Sequence, residues 1–425
     1  MSETPLTGIR VVDLGQYIAA PGAGQQLADL GAEVIKVESL TGDQARSVGS
    51  FGEAMLHANN RGKRSIAVDL RRPEGFQIVD ELCAGSDVLL HNFRHGSAER
   101  LGIGPEQARS RHPHLVYGFV TGFGTRGPSA GRAGLDIAAQ AEFGVMHTTG
   151  EADGEPQRVG FTIADVLAAN ALTTGVLAAL VRRGRTGNGA LVETSLMEAV
   201  VAAQAAQWMN YRLTGEAPRR TGNGQPAVAP AADLVQTVDG AVVVSAYTAT
   251  KWAALCSAIG RPELAADPRF ADNDSRVANR PALKEVLSSA LGHLTRAEAI
   301  ALLASRGIVC GSVRSFDELV KDADLSASGL LVELEELGID SPAAPFQVDA
   351  TARGRTSAAP RLGEHTRDVL RELGRSEDEI DRRGAARRRG PPPPTPRGRR
   401  VSHTARPPAA GGVATPQQPR GMETR

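Results

Sequence analysis

Short β-rich runs alternate with helical segments through the first part of the chain, and this alternation restricts it to a few layered architectures. Residues 9–14 read as a strand, 24–30 as a helix closed by Gly31, and 34–37 and 66–70 as strands. Pro73 opens a helix over 74–83, because the first helical turn tolerates a missing N–H. Residues 88–90 and 115–120 read as further buried strands, joined through a helix-like 97–101. The order predicts an α/β fold with a doubly wound parallel sheet in a large domain.

Beyond the strands the texture changes. Residues 136–143, 164–183 and 196–211 read as helices, with a strand at 191–194. Residues 222–240 are rich in Gly, Pro and Ala and read as a loop. They open a second, smaller α/β domain, with a strand at 241–246 and helices at 252–259, 282–291 and 296–305. The expected organisation is 1–221, 222–330 for the smaller domain, 331–381 as a return to the first, and 382–425 as a tail. That tail carries Arg387 to Arg389 and Pro391 to Pro394 without apolar periodicity, and disorder is expected there.

Charge excludes some partners. With 48 basic and 48 acidic residues among 425, nothing global favours nucleic acid or a membrane surface, so an anionic ligand must meet a local cluster. Cys83, Cys256 and Cys310 lack metal-site spacing, so no metal is expected and a reducing compartment fits. The first residues lack the pattern of a signal peptide, which points to the cytoplasm. The apolar stretch 166–180 is interrupted by Asn170, Thr173, Thr174 and Gly175 and reads as a core helix rather than a membrane span.

Pro21-Gly22-Ala23-Gly24-Gln25-Gln26-Leu27 imitates a dinucleotide fingerprint. In that fingerprint the glycines follow the strand directly and a third small residue lets the helix pack close. Here seven residues, Gly15 to Pro21, intervene, and Leu27 fills the third glycine position. A glycine-permitted helix start near an anionic group remains a sound reading.

Gly160-Phe161-Thr162-Ile163-Ala164-Asp165 leads into the long apolar helix. Asp165 falls in its first turn, where a carboxylate favours the dipole, and the plain reading is a stabilising charge. Its neighbours argue for more. Leu30 to Glu38 (LGAEVIKVE), Asn60 to Ser65 (NRGKRS) with Asp69-Leu70, Asn92-Phe93-Arg94, Gly122-Phe123-Gly124 with Gly127-Pro128, Leu135-Asp136 with Ala139-Gln140, Ile163-Ala164-Asp165 and Arg185 to Gly189 (RTGNG) occur in one order. Together they resemble the class III CoA transferases, the formyl-CoA transferase and carnitine CoA-transferase type, over roughly residues 5–375.

The resemblance implies an enzyme that moves coenzyme A from an acyl-CoA to a free carboxylic acid, with Asp165 as covalent nucleophile and CoA as substrate rather than bound cofactor. A carboxylate is ionised at neutral pH without a helper base, and a covalent route keeps the thioester's transfer energy if water is excluded. By matching position, Gly222, Gly224 and Gln225 of Gly222-Asn223-Gly224-Gln225-Pro226 form a glycine-rich loop over the site. A plain interdomain turn is the alternative. Asn92, Phe93 and Arg100 match the contacts to the nucleotide end of CoA, and Lys63, Arg64 and Arg132 are further candidates for its phosphates. Surface charge is the competing reading for each basic residue.

The resemblance also implies an interlocked homodimer. Ser39 and Leu40 stand where the family commonly has a phosphate-binding basic residue, Ile18 where formyl-CoA transferase has glutamine, and residues 307–313 lack the usual Pro-Val pair. Two other readings share the scaffold. An α-methylacyl-CoA racemase needs an acid and a base on opposite faces of the α-carbon, and Leu135 replaces the histidine expected of it. A non-catalytic acyl-CoA binder would bind CoA unchanged after Asp165→Ala.

Overall fold

The computed structural model describes residues 4–225, 231–349 and 353–381. The disordered tail expected at 382–425 and Pro226 of the glycine-rich stretch lie outside the described residues.

The elements run β1 (Arg10–Asp13), α1 (Ala19–Asp29), β2 (Glu33–Glu38), α2 (Gly49–Asn60), β3 (Arg64–Ala67), α3 (Pro73–Ala84), β4 (Val88–His91), α4 (Ser97–Arg100), α5 (Pro105–Arg111) and β5 (Val116–Thr121). They continue as α6 (Asp136–Glu142), α7 (Val145–Thr148), α8 (Ile163–Thr186), β6 (Leu191–Ser195), α9 (Leu196–Ala203) and α10 (Ala205–Thr214). Six parallel strands form one sheet in the order β3-β2-β1-β4-β5-β6. Val11, Val12, Val88, Leu89 and Leu90 are fully buried, as strands covered on both faces must be. α1 and α8 contribute Ala23, Leu27, Ala168 and Leu172 to the core on one face, and α3 contributes Ile78, Val79 and Leu82 on the other. The order reverses between β1 and β4, and such reversals leave a crevice beyond the strands' C-terminal ends.

α1 starts at Ala19, five residues before the expected Gly24, and Pro21 sits comfortably among first-turn residues whose N–H groups have no helical partner. A Cβ on Gly22 would lie 3.2 Å from Ala169 Cβ, so this glycine serves close packing of α1 on α8. Leu27 is wholly buried in the same contact. By length and composition α8 could cross a membrane, yet its Ala164, Ala168, Leu172 and Val176 pack into the core. The helix expected over 196–211 is broken, because Gln204 turns its side chain back onto the Phe143 and Val200 carbonyls.

The second core gathers Trp252, Leu255, Phe270, Leu283 and Leu287 beneath an antiparallel sheet of β7 (Ala232–Thr237), β8 (Gly240–Ser245) and β9 (Val309–Ser312). Its helices are α11 (Ala249–Ala258), α12 (Asn273–Ala278), α13 (Arg280–Leu291) and α14 (Arg296–Ala304). β7 corrects the loop reading of 222–240. Val235, with Ala231 just before the strand, is buried in this core, and pairing with β8 satisfies a backbone that local composition marks as loop. After α15 (Phe316–Leu319) and α16 (Ala323–Ala327), β10 (Leu331–Leu334) and β11 (Ile339–Pro342) form a hairpin. α17 (Thr366–Glu372) then rejoins the first sheet, where His365 N donates to Ser65 O and Val369 and Leu370 enter the core.

Candidate active site

Every helix that precedes a parallel strand runs against it, so α1 and α8 both begin at the C-terminal edge of the sheet. The loops after β1, β4 and β5 open onto that same edge. Asp165 lies in the first turn of α8. Asp136, the first residue of α6, holds that turn in place, its Oδ1 accepting from Ala164 N at 2.7 Å and Asp165 N at 3.4 Å. Gln140 braces the arrangement by donating to Asp136 Oδ2 at 2.6 Å and accepting from Val159 N at 2.9 Å.

The electrostatic result differs from expectation. Asp136 occupies amide donors that would otherwise favour a charge on Asp165, and no hydrogen bond to the Asp165 carboxylate is found among the described residues. Burial, with the nearby Asp136 carboxylate adding to it, pushes Asp165 up to about 7. The reading of a group fully ionised at neutral pH is therefore corrected: Asp165 stands between its two protonation states there. Such poising is common where a carboxylate reacts.

The glycine-rich loop is fastened at several points. Gly222 has a φ of +59°, and a Cβ there would come within 2.7 Å of Glu151 Oε2. Its N–H donates to Gly150 O, and Gly224 N–H to Thr221 O. The Arg220 guanidinium donates to the carbonyls of Glu151 and Gly154, and that of Arg280 to Thr221 O at 2.8 Å. A side chain at Gly224 would strike that same Arg280 group. Gln225 ends the described part of the loop.

The nucleotide candidates separate into groups. Asn92 and Phe93 follow β4 at the sheet reversal. Asn92 accepts from Gln16 N at 2.9 Å and donates to Gln16 O at 2.8 Å, so its amide pins the loop after β1. Phe93 stacks on His91 and lines a cleft of about 190 Å³ with Arg94, His95, Phe119 and Thr121. Asp165 is not in the walls of this cleft. Exposed Arg100 donates to Ser97 Oγ on α4, and Arg132 pairs with Glu142 while lying over the Phe123 ring.

Two candidates are corrected. The Lys63 ammonium has no exposed surface, and its three donors reach Asp13 Oδ2, Pro21 O and Asn60 Oδ1 at 2.7, 2.8 and 3.0 Å, leaving none for a phosphate. Burial outweighs the Asp13 charge and pushes Lys63 down to about 8. The Arg64 guanidinium turns toward the first residue of β2 and is held by Glu33 and Glu372, away from the strands' C-terminal ends. The reading of Lys63 and Arg64 as phosphate contacts took their charges without their partners. Asp136 and Gln140 were the reverse case: four apart on one helix face, they belonged to a matched motif, but their grip on α8 needs the tertiary fold. No cluster of His, Cys, Asp and Glu able to hold a metal occurs among the described residues.

Comparison with known proteins places this arrangement. Residues 6–366 match the model of CoA-transferase family III. The chain is 35% identical to the succinate–glutarate CoA-transferase of Agrobacterium fabrum, covering 87% of this chain and 96% of that one. It is 36% identical to the probable fatty acyl-CoA transferase Rv3272 of Mycobacterium tuberculosis, over 85% of this chain and 96% of the relative. A crystal structure of a CAIB/BAIF family protein from Brucella suis superposes with a TM-score of 0.80 at 36% identity, covering 88% of this chain and all of that one. These matches and the shared fold define a CoA-transferring enzyme. The chain belongs to CoA-transferase family III and transfers CoA between an acyl-CoA and an acid.

Proposed function

We propose that Asp165 carries the transfer as a covalent nucleophile. Its carboxylate attacks the donor thioester carbonyl, the C–S bond breaks, and a mixed anhydride forms as the CoA thiolate leaves. The thiolate then attacks the Asp165 carbonyl, releasing the donor acid and leaving an aspartyl-CoA thioester. The acceptor carboxylate displaces the thiolate to give a second anhydride. Thiolate attack on its acyl carbonyl yields the new acyl-CoA and restores Asp165. No proton is consumed over the cycle, and each step exchanges one activated acyl bond for another.

One observation carries this reading: a largely enclosed carboxylate without a cationic partner among the described residues, beside the Asp136 carboxylate and poised near neutrality. A carboxylate kept only for stability would gain from a pair. Developing oxyanions need donors, and the 222–225 loop can supply Gly222 and Gly224 N–H only by releasing Gly150 O and Thr221 O. Loop movement is therefore part of the proposal. The cleft at Phe93 takes the nucleotide end of CoA.

The same reading includes a homodimer in a reducing, cytoplasmic compartment, in keeping with three unpaired cysteines. α10 buries none of its residues, and Trp208, Met209 and Leu213 are exposed along it, with Leu135 and Phe161 exposed on the segments flanking Asp165. A second copy would cover this apolar surface. The test is incubation with succinyl-CoA and glutarate, or with longer acyl-CoA and acid pairs, followed by mass spectrometry of the peptide spanning Phe161 to Ala168. CoA attached at Asp165 is expected. Transfer without a labelled peptide under trapping conditions refutes the covalent route.

A further inference from the structure

The loop Gly15–Ile18 between β1 and α1 is held almost entirely by side chains from elsewhere. Asp13 Oδ1 accepts from Gly15 N at 2.7 Å, Lys36 Nζ donates to Gly15 O at 2.9 Å, and Asn92 takes both backbone groups of Gln16. Asp43 Oδ1 accepts from Tyr17 N at 3.1 Å. Tyr17 has a φ of +61°, a conformation a tyrosine keeps only when its surroundings over-determine it. The two carboxylates in this set are each bound to a lysine: Asp13 to Lys63 at 2.7 Å and Asp43 to Lys36 at 2.8 Å, all four side chains without exposed surface. Lys63 also donates to Pro21 O in the first turn of α1, so it ties the strand end to the helix start across the loop. Glu38, Arg46 and Ser65 close the network on its outer side, with Arg46 and Ser65 bonded to the Glu38 carboxylate and Asp43 N donating to it.

A hydrophobic contact would hold this segment at lower desolvation cost, since buried ion pairs are often replaceable by apolar residues without loss of stability. What they provide here is direction. Each carboxylate is fixed by a lysine and in turn fixes one backbone N–H of the loop. The loop ends at Ile18, the residue before α1, and α1 runs beside α8 with Gly22 against Ala169 and Gln26 Nε2 bonded to Asn170 Oδ1 at 2.7 Å. Both helices start at the same edge of the sheet, so the loop leading into α1 and the first turn of α8, which bears Asp165, lie on that one edge, joined by the packing of Gly22 on Ala169. An anhydride on Asp165 survives only if water is kept from it, and a wall displaced by about 1 Å can cost about 100-fold in rate.

We propose that Lys63 and Lys36, acting through Asp13 and Asp43, are positioning residues that lock the Gly15–Ile18 loop as a fixed wall of the transfer site and so favour transfer over hydrolysis. This rests on Asp165 being the covalent nucleophile. Lys63 thus serves the reaction from the interior rather than by touching a phosphate.

The experiment compares wild type, Lys63→Met and the double variant Lys63→Met with Asp13→Asn. The single change leaves Asp13 charged and unpaired and is expected to lower stability. The double change removes both charges, while the introduced asparagine keeps an oxygen for Gly15 N, so a folded protein is retained. Succinyl-CoA is supplied with and without glutarate, and free thiol and new thioester are followed together. In the anhydride's hydrolysis, water adds across the acyl–oxygen bond, giving the acid and the free Asp165 carboxylate, so wasted turnover appears as CoA thiol without new thioester.

For the double variant we expect kcat for transfer to fall at least about 10-fold, the ratio of hydrolysis to transfer to rise by a similar factor, and KM for the acyl-CoA to change less than about 3-fold. A folded double variant with wild-type kcat and product ratio overturns the proposal. So does a double variant that fails to fold, because the charges would then be needed for stability alone. Failure of the underlying reading is separate: wild-type enzyme would then carry no CoA at Asp165.

Discussion

Replacing Asp165 by Asn keeps the side chain's shape and removes its charge, and the structure sets both the sign and the size of the effect on stability. Unfolded, the carboxyl ionises near 3.8; folded, burial and then Asp136 push it up to about 7. Between those values the native state retains a proton that the unfolded chain has released. Stability therefore falls as pH rises from about 4 to about 7, and the penalty is fully present above that. Converted directly, the difference is about 4 kcal/mol, an upper bound because Asp165 is not fully enclosed and solvent screens it. About 1–2 kcal/mol is the reasonable expectation. Asp165→Asn should thus be more stable than wild type at pH 8 by that amount in urea unfolding, with the gap closing toward pH 4, while transfer is abolished. An Asn variant equal to or weaker than wild type at pH 8 refutes the account of a charge held against its preference.

Asp136→Asn keeps an acceptor for Ala164 N but removes the neighbouring charge, so the acidic limb of the kcat profile should move below about 7 while staying above the ordinary carboxylate value, since burial is the larger cause; pH–rate measurement checks it. Gly222→Ala meets both the left-handed backbone and the Glu151 carboxylate, and should lower stability by about 1–3 kcal/mol and reduce transfer, read by thermal unfolding and turnover. Arg64→Ala should leave KM for acyl-CoA within about 2-fold of wild type, because a cation that does not touch substrate loses no binding and this one is spent on Glu33 and Glu372. If the proposed homodimer forms through the exposed face of α10, Leu213→Lys should shift it toward monomer in sedimentation and lower activity with it.

Much of the parallel sheet was legible from local pattern. Strands buried on both faces are short continuous apolar runs, and those at 88–90 and 115–120 lie within a residue of β4 and β5. The place of Asp165 in the first turn of a long apolar helix was also legible, since a first turn is a local feature, but that position alone reads as a stabilising charge and only the resemblance singled the residue out. β7 could not: its burial comes from a core whose members, Trp252, Phe270 and Leu287, lie well downstream. Nor could the fate of the basic residues. Lys63 meets Asp13 across 50 positions and Arg64 meets Glu372 across 308, and no window of sequence reveals whether a cation is spent inside or left for a ligand. The chemical character of Asp165 has the same origin. Its residue type and helical position are written locally, but the carboxylate that helps hold it near neutrality comes from another helix 29 positions earlier. Electrostatic energy depends on distance through space and on the water excluded between groups, and both are properties of the folded chain.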